Sequence, residues 1–155
     1  MEGVLMDLVD LEARLRAVEA RLALGDLVAR YCIAIDDQDY EGLAELFAAD
    51  ATWPFPDGEA RGRTAVVAAL RERRSGNAGS VHTPHACVVT DLGERHASGT
   101  VLAHVEMGIG GTTHMGALRY TDRYARGDDG RWRFLRREMT VVHMGPWADI
   151  ERSLV

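Results

Sequence analysis

Leu8, Leu11, Leu15, Val18 and Leu22 recur at alternating spacings of three and four, with acids and arginines filling the positions between them. That pattern is an a/d stripe and predicts an amphipathic helix with a narrow apolar seam. Two heptads are too few for a free-standing coiled coil, so the seam is expected to pack on this domain or on a neighbouring subunit. Gly25 is expected to interrupt the helix, and Asp26 to cap a second one carrying Leu27, Val28, Tyr31, Cys32 and Ile35. This second helix runs into the acidic cluster Asp36, Asp37 and Asp39. Asp39 can cap a short third helix with Leu43, Leu46 and Phe47 as its buried side. Ala51, Thr52 and Trp53 look extended, and Pro54, Pro56, Asp57 and Gly58 form a turn. Thr64 can cap a fourth helix with Val66, Val67, Ala69 and Leu70 on its apolar face, and Ser75, Gly76, Asn77 and Gly79 make a flexible break.

From residue 80 the period changes. Val81 to Thr90, Ala97 to Ile109, Thr113 to Arg126 and Arg131 to His143 alternate or run apolar and are rich in β-branched and aromatic residues. The turns between them are Leu92-Gly93-Glu94, Gly110-Gly111 and Gly127-Asp128-Asp129-Gly130, which imply an antiparallel meander. Helices first and a meander second predict an α+β domain, a cone-shaped α+β barrel in which the N-terminal helices pack on a strongly curved antiparallel, mixed-edge sheet. A cavity is expected between the two layers. The whole chain, 1–155, reads as one domain: an amphipathic helix over 1–24, the cone over 25–143 and a tail over 144–155.

Composition narrows the function classes. The 155 residues carry 18 basic and 24 acidic side chains, a net charge of −6. Clustered cations for phosphate neutralisation are missing, which argues against nucleic acid as a partner. No apolar run is long enough to span a membrane. Met1, Glu2 and Gly3 followed by alternating Leu and charge do not resemble an export signal, so a cytoplasmic location is expected. Cys32 and Cys87 lack a CxxC spacing and read as reduced, buried small hydrophobes.

No metal or nucleotide motif stands out, so no metal and no cofactor is expected. His82 and His85 are three apart, which on a strand points them to opposite faces. Acid–base chemistry remains. Asp36 follows Ile33, Ala34 and Ile35 at the end of an apolar helix face. It either caps the loop before Asp39 or pairs with a histidine entering from the sheet, where a carboxylate fixes the imidazole tautomer and raises its basicity. His96 falls in a charged hairpin. His104 and Glu106 share a strand face with Thr100, opposite Val101, Ala103, Val105 and Met107. His114 and His143 lie near strand ends, where either role is open. Tyr31 is a core residue with a wet tip or a donor into the cavity. Arg137, close behind Arg133 and Arg136, is part of a solvated basic edge or a cation for a developing anion.

The run Arg30-Tyr31-Cys32-Ile33-Ala34-Ile35-Asp36-Asp37-Gln38-Asp39 resembles the opening of the SnoaL-like group of the nuclear-transport-factor-2-like superfamily. So do Leu43 to Trp53, Gly62-Arg63-Thr64-Ala65, and Arg119-Tyr120-Thr121-Asp122-Arg123-Tyr124 followed by Asp129 to Phe134. The resemblance spans roughly residues 8 to 143 and extends to bile acid 7α-dehydratase, hexachlorocyclohexane dehydrochlorinase and scytalone dehydratase. It implies a proton-abstracting site with Asp36 at the helix-end acid position and His82, in Ser80-Val81-His82-Thr83-Pro84-His85, at the sheet histidine position. His85 matches a second histidine and Tyr31 a tyrosine of the bile acid enzyme, and Arg137 falls where the dehydrochlorinase has an arginine facing its leaving group. Val105 stands where the bile acid dehydratase is acidic, and Met107 near the second histidine of scytalone dehydratase. Pro54 and Phe55 replace the base segment of ketosteroid isomerase, and Val105 with Arg137 does not supply the acid–arginine–acid set of limonene epoxide hydrolase.

The resulting expectation is a cofactor-independent lyase, a dehydratase acting on an apolar polycyclic or aromatic small molecule. His82, Asp36, Tyr31 and Arg137 are its catalytic candidates; Trp53, Phe55, His85, Val101, Val105, Met107 and Tyr120 are its substrate-binding candidates. An isomerase, a polyketide cyclase or a non-catalytic module for hydrophobic ligands are the alternatives. Thr100, Leu102, His104 and Glu106 give the outer sheet face a mixed character suited to a homo-oligomer, a trimer in preference to a dimer.

Overall fold

The computed structural model describes residues 8–149; Met1 to Gly3 and the last part of the tail, 150–155, lie outside the described residues. One long helix, α1 (Leu8–Asp36), is followed by α2 (Tyr40–Glu45), β1 (Phe47–Phe55), β2 (Gly58–Arg61), α3 (Arg63–Arg74), β3 (Asn77–Leu92), β4 (His96–Ile109), β5 (Thr112–Arg126) and β6 (Trp132–Pro146). The strands form one six-stranded sheet in the order β2-β1-β6-β5-β4-β3, antiparallel except for the parallel β1–β6 pair. This is the expected α+β cone with a mixed edge. It is not closed into a barrel: β2 and β3 are free edges.

Four local expectations are corrected. α1 passes through Gly25 without a break. Leu24, Leu27 and Val28 bury themselves against the sheet at this point, which outweighs the ~1 kcal/mol that glycine costs a helix interior. Asp26 is therefore not a cap. The fourth helix starts at Arg63, not after Thr64; Gly62 is its N-cap at φ 87°, and its N–H bonds to the Ala51 carbonyl at 2.8 Å. That positive φ suits glycine. The flexible break shrinks because β3 already begins at Asn77. At the other end β6 runs on to Pro146, past the expected boundary at 143. By contrast, Asp39 caps α2 as expected, its carboxylate accepting from the Gly42 N–H at 2.8 Å.

Two features position the site. α1 ends in a tight closure with Gln38 at φ 56°, where Asp39 N–H bonds to Ala34 O at 2.9 Å and Gln38 N–H to Ile35 O at 3.4 Å. This αL closure stops the helix with Asp36 in its last turn. β3 lies beside that turn and carries register shifts between Asn77 and Ser80, Pro84 and Ala86, and Val89 and Asp91. Such bulges bend the long strand and aim its side chains individually. Gly110 and Gly111, at φ 58° and 79°, make the two-residue turn that the β4–β5 hairpin demands.

The core lies between α1 and the concave sheet face. Tyr31, Phe47, Trp53, Tyr120, Tyr124 and Phe134 form a continuous aromatic cluster with ring centroids 5.4–6.4 Å apart. Val101, Ala103 and Val105 point into it, whereas Thr100, Leu102, His104 and Glu106 point outward, the alternation expected of β4.

Candidate functional site

Cross-strand partners point to the same face of a sheet. His82 pairs with Val105, and Val105 with Gly116, so His82 points to the concave face beneath the end of α1. There its Nδ1 lies 2.6 Å from Asp36 Oδ1, and its backbone N–H donates to Asp36 Oδ2 at 2.6 Å. Ser80, two residues earlier and so on the same face, donates its hydroxyl to Asp36 Oδ1 at 2.5 Å. Arg74, in the last turn of α3, donates to Ser80 Oγ at 2.5 Å. The His82 and Asp36 side chains retain only 6% and 17% of their exposure.

Burial opposes ionisation of Asp36, but bonds from the His82 ring, the Ser80 hydroxyl and the His82 amide together prevail and hold its carboxyl below the usual range. An ionised carboxylate only accepts hydrogen bonds. Nδ1 of His82 therefore carries the proton facing Asp36, and in the neutral ring the lone pair is on Nε2. The sign of the pH dependence follows. A carboxyl whose folded pKa is depressed adds stability above its unfolded value, near 3.9, and loses it as pH falls through the folded value. Asp36→Asn is thus expected to flatten the acid limb of the stability curve below about pH 4 relative to the wild type. Parallel urea titrations check this; superimposable acid limbs would contradict it.

Arg137 sits deeper. It pairs with Asp122, and Asp122 with Gly99, across β6, β5 and β4. Its guanidinium carbon lies 4.0–4.4 Å from the ring centroids of Tyr31, Tyr120 and Phe134. Both Arg137 and Asp122 are fully buried, with Nε 3.4 Å from Asp122 Oδ1, and Tyr124 donates its hydroxyl to Asp122 Oδ2 at 2.9 Å. Desolvation works against the Arg137 charge, but Asp122 together with Tyr31, Tyr120 and Tyr124 outweighs it and keeps the side chain cationic. Nε, Nη1 and Nη2 are shielded from solvent and make no hydrogen bond to a described residue. Arg137 is therefore not part of the solvated edge; Arg136 is, paired with Glu59 at 2.5 Å. Gly99 makes room for this cluster: a Cβ there would meet Val88 O at 2.9 Å and the Tyr124 ring at 3.3 Å.

Burial raises the Tyr31 phenol well above its ordinary value and pushes that of Tyr120 up to about 12, so both are neutral donors at physiological pH. Burial likewise pushes the Cys32 thiol up to about 11 and raises Cys87, which agrees with inert cysteines.

The structure brings Asp36 and His82 together, and separately Tyr31, Trp53, Tyr120 and Arg137. Trp53 stacks on Phe55 at 5.7 Å. Val105 lies beside His82, and Met107 pairs with Ser80. Trp53, Val101 and Tyr120 are packed core rather than walls of an open hollow, because the aromatic cluster closes on itself at this level. His85 is a correction: three residues from inward-facing His82, it points outward as strand alternation places it, and its ring packs against exposed His104 at 4.4 Å. Asp122, Ser80 and Arg74 were not anticipated. Strand alternation could have found the first two, since Asp122 falls on the face of Leu118, Tyr120 and Tyr124, and Ser80 on that of His82. Nothing local marks Arg74.

The SnoaL-like domain model matches residues 16–138. No protein of curated function matches the chain. Among solved structures, an NTF2-like protein with a cystatin-like fold from Novosphingobium aromaticivorans is 30% identical, with 90% of this chain and 92% of that one aligned and a TM-score of 0.72. Hexachlorocyclohexane dehydrochlorinase LinA-type3 from Novosphingobium barchaimii is 20% identical over 88% of this chain and 96% of its own, with a TM-score of 0.79. ActVI-ORFA from Streptomyces coelicolor is 17% identical over 81% of this chain and 98% of its own, at 0.70. This chain belongs to the SnoaL-like domain family, built on the nuclear-transport-factor-2-like fold.

Proposed function

We propose that the protein is a cofactor-independent lyase, a dehydratase that removes water from an apolar cyclic molecule. The observation that carries this reading is the 2.6 Å contact between His82 Nδ1 and Asp36 Oδ1 in a shielded position. A buried carboxylate is expensive unless it is paired, and here it orients an imidazole whose Nε2 makes no hydrogen bond to a described residue. His82 Nε2 takes a proton from the carbon beside a carbonyl. The C–H electrons form the new double bond, the C–O bond to the β-hydroxyl breaks, and the proton on His82 passes to the departing oxygen to give water. Asp36 stabilises the imidazolium meanwhile. The unpaired N–H groups of Arg137, with Tyr31 beside them, are the donors a developing oxyanion or leaving group would satisfy; reaching them requires the Tyr31 and Tyr120 rings to move apart. Half-buried Phe55 and Met107 contribute apolar surface to the substrate.

The names of the structural neighbours, a dehydrochlorinase among them, support elimination chemistry. Isomerisation and polyketide cyclisation begin with the same proton removal and are the second reading. Self-association through the outer sheet face, as a trimer, belongs to this account, with Thr100, Leu102, His104 and Glu106 at the contact. The test is a panel of cyclic β-hydroxyketones of increasing ring number, followed by mass spectrometry. Loss of water from at least one apolar member is expected; rearranged products of unchanged mass favour the second reading, and no turnover of any member contradicts both.

A further inference from the structure

Three arginines close α3, and each has a different partner. Arg71 lies over the Tyr40 ring at 4.6 Å, and Arg73 over the Phe55 ring at 4.2 Å with Asp57 as its counter-ion. Arg74 instead reaches Ser80 Oγ with Nη2, at 2.5 Å. Its Nε is shielded from solvent and makes no hydrogen bond to a described residue. A cation at a helix C-terminus is favourable in water beside the last carbonyls. Shielding it until one N–H goes unpaired costs free energy, so the helix end alone does not account for where Arg74 sits.

Donor chemistry fixes the proton directions in this cluster. A guanidinium only donates, so Ser80 Oγ accepts from Arg74. The ionised Asp36 only accepts, so the Ser80 proton points at Oδ1, where the His82 Nδ1–H also arrives. Oδ2 takes the His82 amide. Each carboxylate oxygen therefore has its own donors, and the terminal torsion of aspartate, otherwise soft, is held. The Ser80 bond is also one of those that keep the Asp36 carboxyl below its usual range. In such a chain each bond polarises the next, so Arg74 strengthens the one Ser80 makes.

We infer that Ser80 and Arg74 are positioning residues of the dyad: Arg74 orients the Ser80 hydroxyl, Ser80 locks the Asp36 carboxylate, and the locked carboxylate aims His82 Nε2. This rests on the reading of His82 and Asp36 as a proton-abstracting pair. A lock matters there because a reacting group misplaced by about 1 Å loses rate steeply. The Arg74 charge also acts on the Tyr31 phenol, where it opposes the effect of burial. A route from Arg74 to the site through Tyr31 would not depend on the Ser80 hydroxyl, whereas the route inferred here does.

Two measurements on the full chain test the inference, the first without substrate. Carbon-13 NMR of the Asp36 carboxyl against pH is expected to show its titration moved upward in Ser80→Ala and, by less, in Arg74→Met. Ser80→Thr, which keeps the hydroxyl, and Arg74→Lys, which keeps the cation, are expected to stay close to wild type. In the Ser80→Ala background Arg74→Met is expected to add little, because its effect passes through the missing hydroxyl. The second measurement is hydrogen exchange at the α-carbon of a cyclic β-hydroxyketone in heavy water. There Ser80→Ala is expected to lose about tenfold in kcat, with KM within about twofold of wild type. Arg74→Met is expected to lose less, and again little beyond Ser80→Ala. An Asp36 titration unmoved in Ser80→Ala, a full Arg74→Met effect on top of Ser80→Ala, or no rescue by Ser80→Thr would overturn the inference. Absence of exchange by wild type would contradict the proposed lyase instead, while the carboxyl titrations still decide whether Arg74 and Ser80 hold the carboxylate.

Discussion

Asp122→Asn is expected to destabilise the fold by about 3–5 kcal/mol, the cost of leaving a buried charge without its counter-ion. For a chain of this length that lowers the melting temperature by on the order of 10 °C. Arg137 has no exposed atom through which water could compensate, and none of its three nitrogens makes a hydrogen bond to a described residue. Its charge is held by the Asp122 carboxylate at 3.4 Å and by three aromatic faces. Burial raises the pKa of Asp122, opposed by the Arg137 charge and the Tyr124 hydroxyl bond. Each charge favours the ionised form of the other. Removing both is a different experiment: Asp122→Leu with Arg137→Met takes away the pair together and is expected to cost less than Asp122→Asn alone. Urea unfolding of the three proteins decides, and an Asp122→Asn loss under about 1 kcal/mol would mean that the rings alone sustain the cation.

The second large effect is catalytic. His82→Ala and Asp36→Asn are each expected to lower turnover by about 10²- to 10⁴-fold, the range of a positioned general base. Asp36→Asn is informative because the amide presents donors as well as an acceptor. It can donate to Nδ1, which moves the ring proton to Nε2 and removes the basic lone pair from the side that meets substrate. In a serine–histidine–aspartate triad the same substitution costs about 10⁴ for this reason. Since Asp36 lies at a helix end and keeps part of its exposure, circular dichroism and the melting temperature of Asp36→Asn are expected to stay closer to wild type than those of Asp122→Asn.

The pairing of Asp36 with His82 was expected from the family resemblance, and two periodicities agree with it, although they left Asp36 open between a loop cap and a histidine partner. The helix pattern of Leu27, Tyr31 and Ile35 fixes which face α1 buries, and Asp36 follows at its end; the strand pattern around His82 and Val105 fixes the facing side chain. The outward direction of His104 was legible from the same alternation. His85 was set beside the substrate by the family resemblance, although the two-residue period already placed it on the face opposite His82. The straight passage of α1 through Gly25 was missed because docking of its neighbours overrides a local propensity. Arg137 illustrates a third limit. An arginine among arginines on a strand reads as surface until strand order sets it opposite Asp122, and nothing in the spacing of residues 122 and 137 announces that pairing.

The most direct test of the central claim is proton abstraction itself, followed as deuterium uptake at the α-carbon of a cyclic β-hydroxyketone in heavy water. Wild type is expected to exchange that hydrogen well above the uncatalysed rate, and His82→Ala and Asp36→Asn to lose most of the excess. Equal exchange by wild type and either variant would contradict a base built from this imidazole and this carboxylate.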